Sequence, residues 1–299
     1  EQLQEMRLYY HFADIDIGRY TIDGKTTQVM LSAREMDVSR LPSQAQTWVN
    51  TRLKYTHGYG ACASPVNEIG QDGLPMFLVG DIPPRYPADM RLDRPEIYFG
   101  ELTGDWVIVN TRAEEFDYPL GDSNEYTRYD ADSGIRMGYL FRRLLFSTRF
   151  NDSKVIFSRD ITPDSRMLFA RDIRERVRRI APFLQYDGDP YAFIADGRLM
   201  WLIDGMTTST AYPYAERFGD QLNYIRNSVK VSIDAYTGEV KFYLIDPDDP
   251  IAATYAKVFP GLFRPASEMP ESIRQHLRYP EDLFKIQTRM YAMYHMTDP

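Results

Sequence analysis

The sequence has a single cysteine among its 299 residues. One cysteine excludes an intrachain disulfide framework and any cysteine-rich zinc module. No run of 18 or more apolar residues occurs, so the sequence contains no segment typical of a transmembrane helix. The formal net charge of −8 lacks the basic excess that nucleic-acid-binding domains usually carry, and we therefore expect no nucleic-acid partner.

Aromatic residues make up 14% of the chain and hydrophobic residues 43%, which excludes a disordered or low-complexity protein. The length corresponds to roughly two domains of about 150 residues. We expect an N-terminal lobe of mixed strands and helices over residues 1–184, and an antiparallel sheet with C-terminal helices over residues 185–299. One continuous domain is the alternative.

Alternating apolar residues around glycine turns predict β-hairpins at Asp23-Gly24, at Asp196-Gly197 and around Gly238. Strand groups and helix groups follow each other without regular alternation, which favours the α+β class. The predicted fold is a set of antiparallel hairpins or a meander over about residues 190–246, packed with amphipathic helices and joined to a mixed N-terminal lobe.

Two amphipathic helices are predicted in the middle of the chain. In the first, over residues 139–150, Leu140, Leu144 and Leu145 are expected to face inward. The second, over residues 163–180, carries Arg171, Arg174 and Arg178 at helical spacing on its polar side.

Charge is unevenly distributed around these helices. Residues 101–134 have a net charge of −7, and residues 135–179 have a net charge of +7. The arrangement favours ion pairs between the two blocks inside the fold. The alternative is that Arg171, Arg174 and Arg178 bind anionic lipid headgroups or an anionic envelope polymer.

Catalytic motifs are scarce. The run from Gly58 to Ala63 formally matches G-x-G-x-x-G/A, but a predicted helix precedes it and Ser64-Pro65 follows, which excludes a dinucleotide site. No G-x-S-x-G elbow or H-E-x-x-H motif occurs. The best acid/base candidates are His57, which glycine flanks, and the carboxylates Glu115 and Asp117. The sequence therefore favours a non-enzymatic function.

One segment carries oxygen ligands at a spacing typical of a calcium loop. Asp130 and Asp132 are followed by Gly134, but position twelve is Phe141 rather than glutamate, so a standard EF-hand loop is excluded. A calcium site of non-standard form at Asp130 and Asp132 is the only cofactor hypothesis that the sequence supports.

Several long segments carry a resemblance to a known family. They are YTHGYG (55–60), IYFGE (97–101), VIVNT (107–111), EFDYP (115–119), RERVRRIAPFL (174–184), NYIRNSVKV (223–231), DAYTGEV (234–240), RYPEDLF (278–284) and YHMTDP (294–299). They resemble uncharacterised protein family (UPF) 0182, whose members are multi-pass prokaryotic membrane proteins with N-terminal transmembrane helices and a large extracytoplasmic region. The family has no established activity, so the resemblance implies no catalytic residues.

The resemblance implies an extracytoplasmic domain at the cell membrane, with the protein's own N-terminal transmembrane helices as its partner. We expect a role in binding, assembly or envelope interaction. A cell-envelope hydrolase that uses His57, Glu115 and Asp117 is one alternative, and a transporter-associated sensor domain is another.

Overall fold

A computed structural model describes residues 10–70, 73–74, 76–121, 123–219 and 222–294. The chain forms two compact units. The first contains the described residues up to Ile173 together with 196–199 and 234–239, and the second contains the remainder. Both helices and antiparallel sheets are present, which confirms the α+β class. The units are defined by packing, and the domains 1–184 and 185–299 remain a prediction.

Short strands dominate the first unit. They are β1 (Tyr10–His11), β2 (Asp16–Ile22), β3 (Lys25–Ala33), β4 (Glu35–Met36), β5 (Gly58–Tyr59), β6 (Ala61–Pro65), β7 (Glu96–Ile97), β8 (Val107–Val109), β9 (Glu115–Leu120), β10 (Ser123–Thr127), β11 (Ile135–Arg136) and β12 (Arg166–Leu168). They pair as β1-β4, β2-β3-β6, β5-β7, β9-β10 and β8-β12-β11. The predicted hairpin at Asp23-Gly24 joins β2 to β3, and both turn residues have positive φ, as a two-residue hairpin turn requires.

Helical segments of the first unit are few. They are a π-helical turn (Asn50–Lys54), 3-10 turns (Val38–Arg40, Ser43–Ala45, Ala88–Met90), α1 (Leu140–Phe150) and α2 (Lys154–Phe157). One core cluster contains Leu53, Trp106, Ile108, Met137 and Met167, and Phe146 and Phe150 pack against it.

The predicted orientation of α1 is wrong. Leu140, Leu144 and Leu145 are exposed, whereas Phe146 and Phe150 face the core. Phe150 stacks on Trp106 with ring centroids 5.1 Å apart. Apolar residues cover two faces of this helix, so hydrophobic periodicity could not show which face packs inward.

The helix predicted over residues 163–180 is also wrong in its first half. Arg166–Leu168 form β12, which lies between β8 and β11, and Met167 and Leu168 are buried in that sheet. The helix begins only at Ile173. Strand pairing therefore overrides the local helical pattern at these residues.

The second unit is built around one sheet. Its elements are α3 (Ile173–Ile180, from the second residue onward), β13 (Gln185–Tyr186), β14 (Tyr191–Ala195), β15 (Arg198–Ser209, from the third residue onward), β16 (Tyr224–Asp234, without the last residue), β17 (Val240–Leu244), α4 (Pro250–Val258), β18 (Phe263–Pro265), a 3-10 turn (Ala266–Glu268), α5 (Glu271–Arg274) and α6 (Glu281–Tyr294). The strand order is β13-β15-β16-β17-β18, with β14 paired to β15 and β18 parallel to β17. The hairpins predicted at Asp196-Gly197 and Gly238 are confirmed.

Side chains from β14, β15 and β17 form the core of the second unit with Met269 and Ile273. Among the helices of the described ranges, none combines the length and the apolar composition needed to cross a lipid bilayer.

Candidate functional site

The histidine predicted as a general base lies beside a short antiparallel ladder in the first unit. Tyr59 of β5 is opposite Glu96 of β7. Side chains alternate along each strand, so His57, Tyr59, Glu96 and Tyr98 share one face of this ladder. The rings of His57 and Tyr98 lie 4.7 Å apart between centroids.

The two predicted carboxylates, Glu115 and Asp117, are two residues apart on β9 and therefore point to the same face of that strand. Asp117 Oδ1 lies 3.3 Å from His57 Nε2, and Glu115 Oε2 lies 4.0 Å from His57 Nδ1. The structure thus brings together all three predicted acid/base residues, although about 60 residues separate the histidine from the carboxylates.

Glu115 is held by four donors. Its Oε2 accepts hydrogen bonds from the Thr56 hydroxyl at 2.8 Å and from the Tyr98 hydroxyl at 2.9 Å. Its Oε1 accepts from the backbone N–H of Asn110 at 3.0 Å and of Tyr129 at 3.3 Å. Four donors satisfy a buried carboxylate, and they fix its position.

The proton positions around His57 follow from these donors. The Thr56 hydroxyl has one proton and gives it to Glu115, so its oxygen accepts from His57 Nδ1–H at 2.9 Å. The other ring nitrogen, Nε2, faces a carboxyl oxygen of Asp117 at 3.3 Å. The arrangement is therefore a hydrogen-bonded series, Glu115–Thr56–His57–Asp117, in which the histidine ring lies between two carboxyl groups.

Burial also shifts the pKa values of other groups on this face of the ladder. Burial raises the pKa of Glu96, and its Oε2 has no hydrogen-bond partner among the residues described. Burial also raises the pKa of Tyr59, and the negative charge of Asp117 adds to that rise. The pKa of Tyr98 is raised by burial and by the charge of Glu115. Both phenols are therefore neutral hydrogen-bond donors at physiological pH.

Most of the site is buried. His57 and Glu115 are completely or almost completely buried, whereas the Asp117 side chain retains 14% exposure. Of the four residues Glu115, Thr56, His57 and Asp117, Asp117 is therefore the one that solvent can reach.

Thr56, Glu96 and Tyr98 also belong to the site, although no motif in the sequence marks them as functional residues. The available signal was the alternation of Glu96 and Tyr98 with Ile97 and Phe99 in a predicted strand. That pattern places two polar groups on one face, but only the pairing with β5 shows that His57 lies on it.

The predicted calcium ligands pair with arginines. Asp130 forms an ion pair with Arg94, and Asp132 forms one with Arg166. No group of three or more potential metal-ligating side chains was found in the part of the chain that the structure describes. The Asp132–Arg166 pair joins the acidic block to the basic block.

The three predicted binding arginines do not form one stripe. Arg171 lies before α3, is buried, and donates to the backbone oxygens of Tyr98 at 2.7 Å and Asp105 at 3.2 Å. Burial lowers the pKa of Arg171 to about 10. Arg174 and Arg178 lie on α3, where Arg178 is exposed and Arg174 is half-buried. Arg171 therefore stabilises the fold, because its guanidinium donates hydrogen bonds to backbone carbonyl groups.

A second surface feature is the uncovered face of α1. We define it by five exposed apolar side chains: Tyr139 (67% exposed), Leu140 (68%), Phe141 (69%), Leu144 (51%) and Leu145 (52%). Phe157, at the end of α2, is 77% exposed. A contiguous exposed apolar face of this kind is typical of an interaction surface.

The comparisons with known proteins agree on one family. The family model described as "Uncharacterised protein family (UPF0182)" matches residues 1–299. The chain is 56% identical over 300 residues to a UPF0182 protein of Desulforamulus reducens, covering all of this chain and 32% of the relative. It is 54% identical over 298 residues to one of Pelotomaculum thermopropionicum (all of this chain, 33% of the relative). It is 52% identical over 306 residues to one of Methanospirillum hungatei (all of this chain, 34% of the relative).

The chain thus spans about a third of the length of the curated relatives it matches. No solved structure matches it. A family model over the whole chain and relatives above half identity place the sequence firmly: the chain belongs to the uncharacterised protein family UPF0182.

Proposed function

We propose that this chain is an extracytoplasmic domain of a multi-pass membrane protein and that it binds the surface of an anionic membrane through α1. The single observation that carries the proposal is the uncovered apolar face of that helix, from Tyr139 to Leu145. The opposite face, with Phe146 and Phe150, already packs on the core. A helix of this kind can lie in the interface plane with its free face among the lipid chains.

Charge around the helix supports an anionic lipid as the partner. Residues 135–159 contain six basic residues and one acidic residue. Arg136, Arg149 and Lys154 are exposed in this segment. Each basic side chain near an anionic membrane surface contributes about 1 kcal/mol of attraction. We propose these side chains as the lipid-binding group in place of Arg171, Arg174 and Arg178, because Arg171 is buried.

The exposed aromatic side chains of this face can contribute several kcal/mol to the free energy of membrane binding if they insert. A phenylalanine or tyrosine that is two-thirds exposed leaves on the order of 100 Å² of apolar surface in water, which corresponds to about 2 kcal/mol when buried. Two such side chains together contribute about 4 kcal/mol, which changes a partition coefficient by about a thousandfold if both insert fully.

The family resemblance supports the placement at the cell membrane. Two thirds of the length of the curated relatives lies outside the matched region, and we propose that transmembrane helices in that region are the domain's partner in the same chain. An anionic envelope polymer is a further partner that the basic side chains would suit.

Co-sedimentation with lipid vesicles tests the proposal. We expect the chain to bind vesicles of phosphatidylcholine with about 30% phosphatidylglycerol, and to bind less as salt increases. The double variant Y139Q/F141Q should reduce binding at least about tenfold, since two inserting side chains become polar. A matched control is F284Q/Y291Q on α6, where the same residue types are 57% and 67% exposed.

Two outcomes would contradict membrane binding. One is binding that does not respond to anionic lipid, and the other is an equal effect of the test and control variants. If Y139Q/F141Q leaves vesicle binding unchanged but weakens association with the rest of the full-length protein, the face of α1 binds protein and not lipid.

A cell-envelope hydrolase is the second candidate, favoured by the 3.3 Å contact between His57 Nε2 and Asp117 Oδ1. In that role Asp117, the exposed member of the pair, would contact a glycan or peptide and His57 would supply or accept the proton. The test is hydrolysis of isolated cell-wall glycan and of casein by the wild type and by D117N. We expect any genuine activity to fall at least about a hundredfold in the variant, and absence of wild-type activity on both substrates would exclude the candidate for them.

A further inference from the structure

Arg34, the residue that directly follows β3, has an unusual environment. Its backbone N–H donates to Gly60 O at 2.9 Å, and Ser32 is opposite Cys62 in the β3–β6 ladder. This register places Arg34 and Cys62 on the same face as diagonal neighbours. The guanidinium Nη2 donates to Cys62 Sγ at 3.0 Å. The arginine is 1% exposed, while the cysteine is half-buried and therefore within reach of small solutes.

The remaining donors of this guanidinium are not used. Arg34 Nε and Nη1 are buried and have no hydrogen-bond partner among the residues that the structure describes. Within the same described ranges, no carboxylate forms an ion pair with Arg34. An arginine stays charged inside a protein, and a buried charge without a counter-charge is costly. Cys62 Sγ is the acceptor that this guanidinium contacts.

A second unused donor lies beside this pair. The Tyr86 hydroxyl is buried and has no hydrogen-bond partner in the described part of the chain. A side chain added to Gly60 would lie 3.1 Å from that hydroxyl and 3.5 Å from Arg34 Nη1. The hydroxyl and the guanidinium therefore lie near each other beside Gly60, where Pro84 also packs, and both have donors without a partner in the described residues.

From these contacts we propose that Cys62 is a modification site, at which a hydroperoxide oxidises the thiol to a sulfenic acid that Arg34 and Tyr86 stabilise. The thiolate sulfur attacks one peroxide oxygen, the S–O bond forms and the O–O bond breaks. The leaving hydroxide takes the proton that the thiol released and becomes water. Sulfur loses two electrons and the peroxide gains them. The new oxygen then accepts hydrogen bonds from the donors that were unused.

The environment also explains why the thiolate would react. A guanidinium in contact with the sulfur can donate a hydrogen bond to the oxygen while that oxygen is transferred. The chain contains no second cysteine to form an internal disulfide. The sulfenic acid therefore persists until a small thiol or an excess of peroxide removes it. This inference is independent of membrane binding, because it concerns the β3–β6 ladder and not α1.

Chemical trapping tests the proposal on the intact chain. The protein is treated with hydrogen peroxide in the presence of dimedone, and the adduct at Cys62 is measured by mass spectrometry over time. We expect native protein to react about tenfold faster than the same protein in urea at equal pH, since one charge-assisted hydrogen bond is worth about that factor. Equal or slower reaction of the native protein would overturn the proposal.

Two variants assign the effect to the named residues. R34M should abolish the native advantage, and Y86F should reduce the rate by about threefold while retaining the guanidinium, as expected for the loss of one neutral hydrogen bond. R19M is the control, because Arg19 is an exposed arginine in β2 of the same sheet. If R34M unfolds, Y86F still decides the matter. A Y86F rate equal to that of the wild type would refute the site as proposed, and so would an unchanged rate in a folded R34M variant.

Discussion

The carboxyl group of Glu35 offers a quantitative test of how the first unit is stabilised. Glu35 is fully buried in β4, and its Oε2 accepts a hydrogen bond from the Leu102 backbone N–H at 2.8 Å. Its Oε1 has no hydrogen-bond partner within the described residues. Gly100 leaves the space that the carboxyl occupies, because a side chain there would overlap Glu35 Oε2. Burial raises the pKa of Glu35 from its ordinary value of 4.5 to about 7.

The sign of the effect on stability follows from that direction. Between the two pKa values the folded state keeps the proton of Glu35 and the unfolded state has lost it. The free energy of unfolding therefore falls as the pH rises from about 4.5 to about 7, and it is unaffected by this group at lower pH. A pKa difference of about 2.5 units corresponds to about 3 kcal/mol, of which about 2.5 kcal/mol is lost between pH 5 and pH 8.

Urea denaturation of the wild type and of Glu35→Gln between pH 5 and pH 8 measures this quantity. Fluorescence of Trp106, which lies in a core cluster of the first unit, reports the unfolding. We expect the wild type to lose about 2.5 kcal/mol more than the variant over this range. Glu114→Gln is the control, because Glu114 is exposed in the same unit. Parallel pH profiles for the wild type and Glu35→Gln would refute the reasoning.

Three further predictions concern buried contacts. Lys230→Met should cost about 3–5 kcal/mol, because it leaves the buried Asp204 carboxylate without its ammonium partner; urea denaturation followed by Trp201 fluorescence measures it. Thr56→Val should cost about 2 kcal/mol, since Glu115 loses a donor that lies at 2.8 Å; the shift in melting temperature measures it. Gly100→Ala should cost about 1–3 kcal/mol through steric overlap, measured in the same way.

Each of these has a control within the chain. The double variant D204N/K230M should regain most of the stability that Lys230→Met loses. If the double variant is no more stable than Lys230→Met, that result would contradict a buried ion pair. Thr56→Ser keeps the hydroxyl and should behave like the wild type. Gly104→Ala meets no atom within 4 Å, so a loss as large as that of Gly100→Ala would contradict the steric explanation.

Hairpins were the most predictable part of this fold. The turn residues Asp23-Gly24 and Asp196-Gly197 adopt positive φ, which few other dipeptides tolerate, so their identity alone indicates the turn. Residues 163–168 were not predictable in this way. Their helical pattern yields to pairing with β8, a strand more than 50 residues earlier in the chain.

The candidate site was predictable in its components but not in its arrangement. His57, Glu115 and Asp117 could be selected by residue type, and the structure places them within hydrogen-bonding or ion-pair distance. Thr56, which links His57 to Glu115, has no property in the sequence that marks it. The same is true of Arg34 and Cys62, which become neighbours only through the β3–β6 register.

By itself, the sequence determined the family, the α+β class and the hairpins, because these depend on residues close together in the chain. Only the tertiary structure decided which face of α1 is uncovered, that the Arg171 guanidinium donates to backbone oxygens, and which carboxylates contact His57. The physical reason is the same in each case. Burial and hydrogen-bond pairing depend on partners from distant segments, and a local pattern does not specify those partners.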